Sequence, residues 1–213
     1  MSFCKGLVTY FDWVNIAAAG LAAFTGAVAA FVVAQIKENR KQKATERSKL
    51  VQCFYDLHFA LRNVSHFHNE ITKIHKNEPC NNTTESARQI LNFQFDTQSV
   101  DFICSKCPLL YEIISQIDMD WSVLNSVAAS KNYDAISEHV MVICMKLMAT
   151  IENIDDYLVK YYKQKSMIVG NVQKNLDAVL DVLPNLKQWK LTGDKKLEAD
   201  PAVVAYKEWR IKV

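Results

Sequence analysis

The pattern of hydrophobic and polar positions along the chain changes sharply near residue 37. Residues 13–36 contain no charged side chain and are almost entirely apolar, whereas residues 37–43 alternate bases with polar residues. At a rise of about 1.5 Å per residue, a helix over residues 13–36 is about 36 Å long, and the hydrocarbon core of a bilayer is about 30 Å thick. We therefore predict a transmembrane helix over 13–36, preceded by a short extracytoplasmic segment over 1–12.

Two other interpretations of the apolar run stay open. The core helix of a soluble domain would have a similar composition. A secretory signal peptide would also be apolar, and Ala27-Val28-Ala29 is similar to a cleavage site. The run is longer than the apolar part of a signal peptide, however, and Lys5 and Asp12 leave its amino-terminal flank without net charge.

From residue 50 onwards the apolar positions recur in steps of seven. The recurring residues form three rows: Leu50, Leu57, Val64 and Ile71; Cys53, Ala60, Phe67 and Ile74; Phe54, Leu61, His68 and His75. About three apolar positions in seven are typical of a helix that packs in a bundle or a coiled coil.

Start and stop signals predict further helices. Asp96 can cap a helix near 97–105, Pro108 fits the first turn of a helix that ends near Ala129, and another long helix runs from about Asp134 to Lys163. The remaining predictions are a loop over 76–85, a short helix over 85–94, a helix over 167–183 that ends at Pro184, and a tail over 184–213 with an amphipathic helix from Pro201.

The apolar periods of the two long helices predict which side chains face the core. The inward residues are Leu109, Leu110, Ile113, Ile114, Ile117, Trp121, Leu124 and Val127, followed by Ile136, Val140, Ile143, Leu147, Ile151, Ile154, Leu158 and Tyr161. The fold class is therefore predicted as all-α, with the transmembrane helix continuing through a juxtamembrane segment over 37–49 into a helical bundle over 50–183.

Composition agrees with this fold class and excludes others. The chain has 5 Gly and 4 Pro in 213 residues, too few for the turns of a sheet-rich fold. The net charge of +2 is concentrated in residues 37–50, which carry +4, so a nucleic-acid-binding domain is not indicated. The 6 cysteines are spread through helical sequence, which is typical of free thiols in a reducing compartment.

The basic residues after the apolar run predict the topology. Lys37, Arg40, Lys41 and Lys43 follow the run closely, and positively charged flanks are retained in the cytoplasm. We therefore expect the plasma (inner) membrane, an external amino terminus and a cytoplasmic bundle. Membrane lipid is the first expected partner, because each of these cations contributes about 1 kcal/mol near an anionic surface.

Small residues within the apolar run predict self-association. Ala18, Ala22, Gly26 and Ala30 recur in steps of four and form a strip along which a second helix can approach closely. An Ala-rich helix also contains such strips by chance, and this alternative stays open. We expect a homo-oligomer.

One stretch carries a candidate catalytic motif. In "RNVSHFH" (62–68), Arg62 and His68 are separated by five residues, which resembles the Arg-x4–6-His motif of HEPN ribonucleases. The resemblance implies that Arg62 holds phosphate and that His68 transfers a proton. The alternative is a solvated arginine and a half-buried histidine.

A second stretch carries a candidate metal site. "CSKCP" (104–108) contains Cys104 and Cys107, which together with His75 and Cys80 could supply four zinc ligands. The alternative is that both cysteines pack as small apolar residues at a helix start. No Gly-rich phosphate loop or nucleophile elbow is present in the sequence, and we expect no cofactor.

The layout as a whole resembles small bacterial single-pass membrane proteins with a cytoplasmic helical domain of unknown function. It is also similar to membrane-anchored HEPN-like accessory proteins of RNA-guided defence systems. We expect a non-enzymatic protein that self-associates and acts as an interaction or membrane-effector module, with a protein partner on the cytoplasmic side. A role in phage defence is what the resemblances add to this expectation. The alternative is a HEPN-like ribonuclease, or an inactive relative, that uses Arg62 and His68.

The topology is the first testable expectation. A reporter that works only in the cytoplasm, fused after Val213, should be active, and the protein should stay in the membrane fraction during an alkaline carbonate wash. Replacing Lys37, Arg40, Lys41 and Lys43 with Gln should lower the fraction of molecules with an active reporter. These positive charges are what keeps the carboxyl-terminal side of the helix in the cytoplasm. Release of the unmodified protein by carbonate would contradict the anchor.

Overall fold

The computed structural model describes residues 3–76, 96–130 and 133–212, and the regular elements in these ranges are all helices. The α-helices are α1 Phe3–His75, α2 Pro108–Ser130, α3 Tyr133–Tyr162, α4 Asn171–Asp181, α5 Pro184–Thr192 and α6 Pro201–Trp209. Two 3-10 helices, Thr97–Ile103 and Lys195–Leu197, precede α2 and α6. The predicted all-α fold class is confirmed.

The chain divides into two compact units, and the division falls inside α1. The first unit is Met1–Thr45 and the second is Glu46–Val213. In the first unit, every side chain described from residue 15 to residue 45 is exposed. The hydrophobic core lies in the second unit, which we call the bundle.

The part of α1 that belongs to the bundle buries the face that the seven-residue pattern predicts. Phe54, Leu57, Leu61 and Val64 are completely buried, and the same pattern continues to Ile71. Each fully buried side chain of this size stabilises the fold by about 1.5–3 kcal/mol relative to an exposed one. This stripe is therefore the main apolar surface that α1 supplies to the core.

Helices α2 and α3 bury most, but not all, of the predicted inward residues. Ile114, Trp121 and Leu147 are at most 2% exposed, as predicted. The predictions for Leu109 and Tyr161 are wrong, since their side chains are 61% and 56% exposed. The adjacent residues at the same helix ends are covered, since Leu110 is 0% exposed and Tyr162 is half-buried, so Leu109 and Tyr161 lie on the solvent side of packed turns.

The predicted helix boundaries are largely reproduced. The Asp96 carboxylate accepts a hydrogen bond from the Ser99 amide (3.2 Å) and caps a helix, which is of the 3-10 type. Pro108 and Pro201 stand in the first turns of α2 and α6, where a missing amide hydrogen is harmless. The helix expected over 167–183 is shorter, Asn171–Asp181. The predicted helix over 85–94 and nearly all of the loop over 76–85 lie outside the described residues.

The carboxyl-terminal segment, expected to be a tail, is packed into the bundle. Pro184 opens α5 rather than following the last core helix, and Leu186, Val203 and Tyr206 are buried in the same core as α1 and α3. The bundle therefore extends beyond residue 183.

One buried amide fastens this segment to α3. Asn153 is 0% exposed, and its side-chain nitrogen donates to the carbonyl of Trp209 (2.7 Å). Its side-chain oxygen accepts hydrogen bonds from the amide of Ile211 (3.3 Å) and from Arg210. The end of the chain thus satisfies a polar group that would be unfavourable to bury alone.

Asn153→Ala should destabilise the bundle by about 2–3 kcal/mol, because it leaves the Trp209 carbonyl and the Ile211 amide without their partner. Thermal or denaturant unfolding in mild detergent, followed by circular dichroism, measures the change. Asn185→Ala is the matched control, since Asn185 also donates one side-chain hydrogen bond, to Asp200 (2.7 Å), but on the surface. Its expected effect is about 0.5 kcal/mol. Equal effects of the two variants would contradict a fastening role for Asn153.

Candidate functional site

The apolar run of α1 has the exposure expected of a lipid-facing helix. Leu21, Phe24 and Phe31 are 66–70% exposed, and the described chain contains one helix long and apolar enough to cross a membrane by length and composition. Thr25 carries the sole hydroxyl group of residues 15–36, and it donates to the carbonyls of Leu21 (2.8 Å) and Ala22 (3.0 Å). The helix therefore satisfies this polar group internally, as a hydrocarbon environment requires.

The predicted association strip lies on the open surface of this helix. Ala18, Ala22, Gly26 and Ala30 are exposed. A Cβ atom added at Gly26 or at Gly20 would meet no atom within 4 Å. The strip is therefore free to approach another helix, and a larger side chain there would not disturb the fold of the single chain.

The residues predicted to bind lipid headgroups are accessible to solvent. Lys37, Arg40, Lys41 and Lys43 are exposed side chains on α1, directly after the apolar run. Their function remains a prediction.

The structure does not bring Arg62 and His68 together. Arg62 is exposed, and no hydrogen bond joins it to His68; the two residues are about 120° apart around α1. Burial lowers the pKa of His68, whose Nδ1 has no hydrogen-bond partner among the described residues. Arg62 instead faces His58, whose pKa is lowered by burial and then by the charge of Arg62. The catalytic role of Arg62 and His68 stays a prediction.

The predicted zinc ligands are described only in part. Cys104 is an exposed free thiol and Cys107 a half-buried one, while Cys80 and the side chain of His75 lie outside the described residues. Within the described part of the chain, no three His, Cys, Asp or Glu side chains are close enough to hold a metal ion. The metal site stays untested.

A buried carboxylate, which the sequence does not single out, lies at the beginning of the bundle. Glu46 is 4% exposed and forms an ion pair with Lys106, which lies just before α2. Its carboxylate also accepts a hydrogen bond from the hydroxyl of Tyr162 (3.0 Å), the last residue of α3. Burial, followed by the hydrogen bond to Glu46, raises the pKa of Tyr162. Glu46 therefore joins three segments that are far apart in the sequence.

A second polar cluster lies where α5 and α6 pack against α3. Lys190 bridges Glu152 (2.5 Å) and the hydroxyl of Tyr206 (2.9 Å), and that hydroxyl also donates to Glu152. Arg210 contacts Glu152 (3.2 Å) and Asp156 (2.7 Å). Burial, then the charge of Glu152, raises the pKa of Tyr206, so its hydroxyl stays protonated. A cavity of about 600 Å³ borders the cluster, but its Lys190 and Arg210 are already paired with carboxylates.

Comparisons with protein-family models, with curated proteins and with solved structures find no match to this chain. The assignment of function therefore depends on the residues and contacts described above.

The cysteines give a testable consequence of this packing. Burial is the main cause that raises the pKa of the Cys53 and Cys144 thiols to about 12. Only the thiolate is nucleophilic, so both should be protonated and unreactive at pH 8, whereas exposed Cys104 should react at least about 100-fold faster. A time course with N-ethylmaleimide and peptide mass spectrometry measures the rates.

The denatured protein is the control, because there the three thiols should react alike. Rapid labelling of Cys53 or Cys144 in the folded protein would contradict their burial. Protection of Cys104 that a chelator removes would instead support the zinc site.

Proposed function

We propose that this chain is a single-pass protein of the plasma membrane, with its amino terminus outside and the bundle in the cytoplasm. In this proposal the protein self-associates through the strip Ala18, Ala22, Gly26 and Ala30 and presents the bundle to a cytoplasmic protein as an interaction module. The observation that carries the proposal is the exposed apolar surface of α1, on which the strip lies uncovered.

The membrane assignment is supported by composition and by hydrogen bonding. An apolar surface of this extent is unfavourable in water, since each Å² of apolar area exposed to water costs about 25 cal/mol. The residues after the run are basic, which favours a cytoplasmic location for the bundle. The Thr25 hydroxyl donates to a carbonyl of its own helix, so moving it from water into the hydrocarbon of the bilayer costs little free energy.

Self-association is supported by the shape of the strip. In lipid, two helices gain little from hydrophobicity, so their association depends on close contact along small side chains. Gly26 lies at the middle of the strip, with open space beyond its Cα.

The ribonuclease alternative has less support. It needs Arg62 and His68 at one phosphate, and they lie on different faces of α1. A role in phage defence is supported by the resemblance in layout alone, and we keep it as part of the proposal on that basis.

Gly26→Leu tests self-association. The substitution preserves the apolar character needed for insertion but holds the partner helix away, so the yield of cross-linked oligomer in native membranes should fall at least about fivefold. Gly20→Leu is the matched control, because it makes the same change about 120° around the helix from Gly26. Val28→Leu, opposite the strip, is a second control.

Two results would contradict the proposal. An unmodified protein that gives no cross-links in membranes and is monomeric in mild detergent would exclude self-association. Cleavage of RNA by the purified full-length protein, abolished in His68→Ala, would favour the ribonuclease over an interaction module.

A further inference from the structure

The structure describes the side chains of four cysteines, and two of them are accessible. Cys104 is exposed and Cys107 is half-buried, and both lie between the 3-10 helix Thr97–Ile103 and α2. Cys53 and Cys144 are buried, and burial is the main cause that raises the pKa of each thiol to about 12. Because the thiolate is the nucleophile, Cys104 and Cys107 are the two of these four that can react near neutral pH.

The backbone brings the two accessible side chains to one face of a single turn. Cys104 has right-handed helical dihedral angles, φ = −51° and ψ = −41°. The amides of Lys106 (2.9 Å) and Cys107 (2.7 Å) both donate to the carbonyl of Ile103, as in a helical turn. Side chains three residues apart on such a turn are neighbours, with Cβ atoms about 5–6 Å apart. A disulfide has Cβ atoms about 3.8 Å apart, so a movement of about 1–2 Å lets the sulfurs bond.

The two thiols differ in exposure, and this difference assigns them different roles. Cys104 stands in solvent, where an external molecule can reach its sulfur. Cys107 packs against the hydrophobic core, and its carbonyl accepts the hydrogen bond of the Tyr111 amide (3.2 Å) at the start of α2. Access controls which thiol reacts first in thiol–disulfide exchange. Cys104 is therefore the residue that meets an external disulfide, and Cys107 is held next to it.

The described surroundings favour a bond between the two sulfurs over a shared metal ion. A structural zinc ion takes four protein ligands. Within the described ranges 3–76, 96–130 and 133–212, no three His, Cys, Asp or Glu side chains are grouped closely enough to hold a metal. Lys106, the charged residue between the cysteines, is already paired with Glu46. Each thiol thus has the other as its nearest reaction partner in the turn.

We propose that Cys104 and Cys107 form a reversible disulfide by exchange with a low-molecular-weight disulfide such as glutathione disulfide. The proposal concerns residues of the bundle alone, so it depends neither on the membrane anchor nor on the self-association strip. Lys106, which compensates the buried charge of Glu46, lies inside the ring that the new bond closes.

The exchange takes two steps. The Cys104 thiolate attacks one sulfur of glutathione disulfide, whose S–S bond breaks, and a glutathione thiolate leaves. The Cys107 thiolate then attacks the Cys104 sulfur of the mixed disulfide, and the second glutathione thiolate leaves. The two protons lost by the protein thiols are taken up by the two glutathione thiolates. The pair is oxidised by two electrons and glutathione disulfide is reduced by two, and excess glutathione reverses both steps.

Peptide mass spectrometry of the full-length protein in mild detergent tests the proposal. Trypsin cleaves after Lys106, between the two cysteines, so a disulfide keeps the peptides 89–106 and 107–131 joined. The protein is incubated without oxygen in about 1 mM glutathione disulfide and about 1 mM glutathione, then alkylated with N-ethylmaleimide. We expect more than about half of these peptides to be joined, and raising glutathione to about 20 mM should separate most of them.

Two variants separate a disulfide between neighbours from general reactivity. Cys107→Ser should leave Cys104 as a stable mixed disulfide with glutathione, because no second thiol completes the exchange. Cys104→Ser with Ser105→Cys is the matched control. It keeps two thiols, one of them exposed, but places the exposed one about 160° from Cys107 around the turn rather than about 60°. The yield of joined peptides should fall at least about tenfold. Cys53 and Cys144 should stay unmodified throughout, which controls for unfolding.

Four results would overturn the proposal. The first is that both thiols stay free in the glutathione buffer, and the second is an equal yield of joined peptides from the unmodified protein and the matched control. The third is that Cys104 or Cys107 is joined instead to the peptide 77–88, which contains Cys80. The fourth is that the pair reacts only after a chelator is added, since that would identify a metal site.

Discussion

The ion pair and hydrogen bond of Glu46 are the contacts on which the arrangement of the bundle's first residues depends. A carboxylate that is 4% exposed is stable only when its charge is matched, and Lys106 and the Tyr162 hydroxyl provide that match from two other segments. Removing either partner would leave a buried charge under-compensated. The start of the bundle on α1, the residues just before α2 and the end of α3 are therefore held together.

Charge is used differently in two parts of the bundle. After α3, the exposed Lys163 and Lys165 flank a turn in which Lys163 has φ = 54°, and neither forms an ion pair within the described chain. Where α5 and α6 pack on α3, the cations Lys190 and Arg210 are paired with Glu152 and Asp156, and Asn153 fastens the residues that follow α6. The second arrangement uses charge to stabilise the fold.

Two errors of the sequence-based predictions concern single side chains at helix ends. Leu109 and Tyr161 were assigned to the inner faces of α2 and α3, but both side chains are exposed while the adjacent Leu110 and Tyr162 are covered. Consecutive apolar residues at a helix end point in directions about 100° apart, and only the position of the neighbouring helices decides which of them is covered. In the same way, Glu46, Lys106 and Tyr162 are far apart in the sequence, so their contacts could not be predicted from it.

The sequence by itself determined the local properties of this protein: the charge-free run over 13–36, the basic flank at Lys37 to Lys43, the buried stripe from Leu50 to Ile71, and the helix starts at Pro108 and Pro201. These follow from solvation and backbone chemistry that act within a few residues. Only the tertiary structure decided that Glu46 is buried against Lys106 and Tyr162 and that the last 29 residues described, 184–212, join the core. Those outcomes depend on which distant side chains are near enough to compensate a buried polar group, and that proximity exists only in the folded chain.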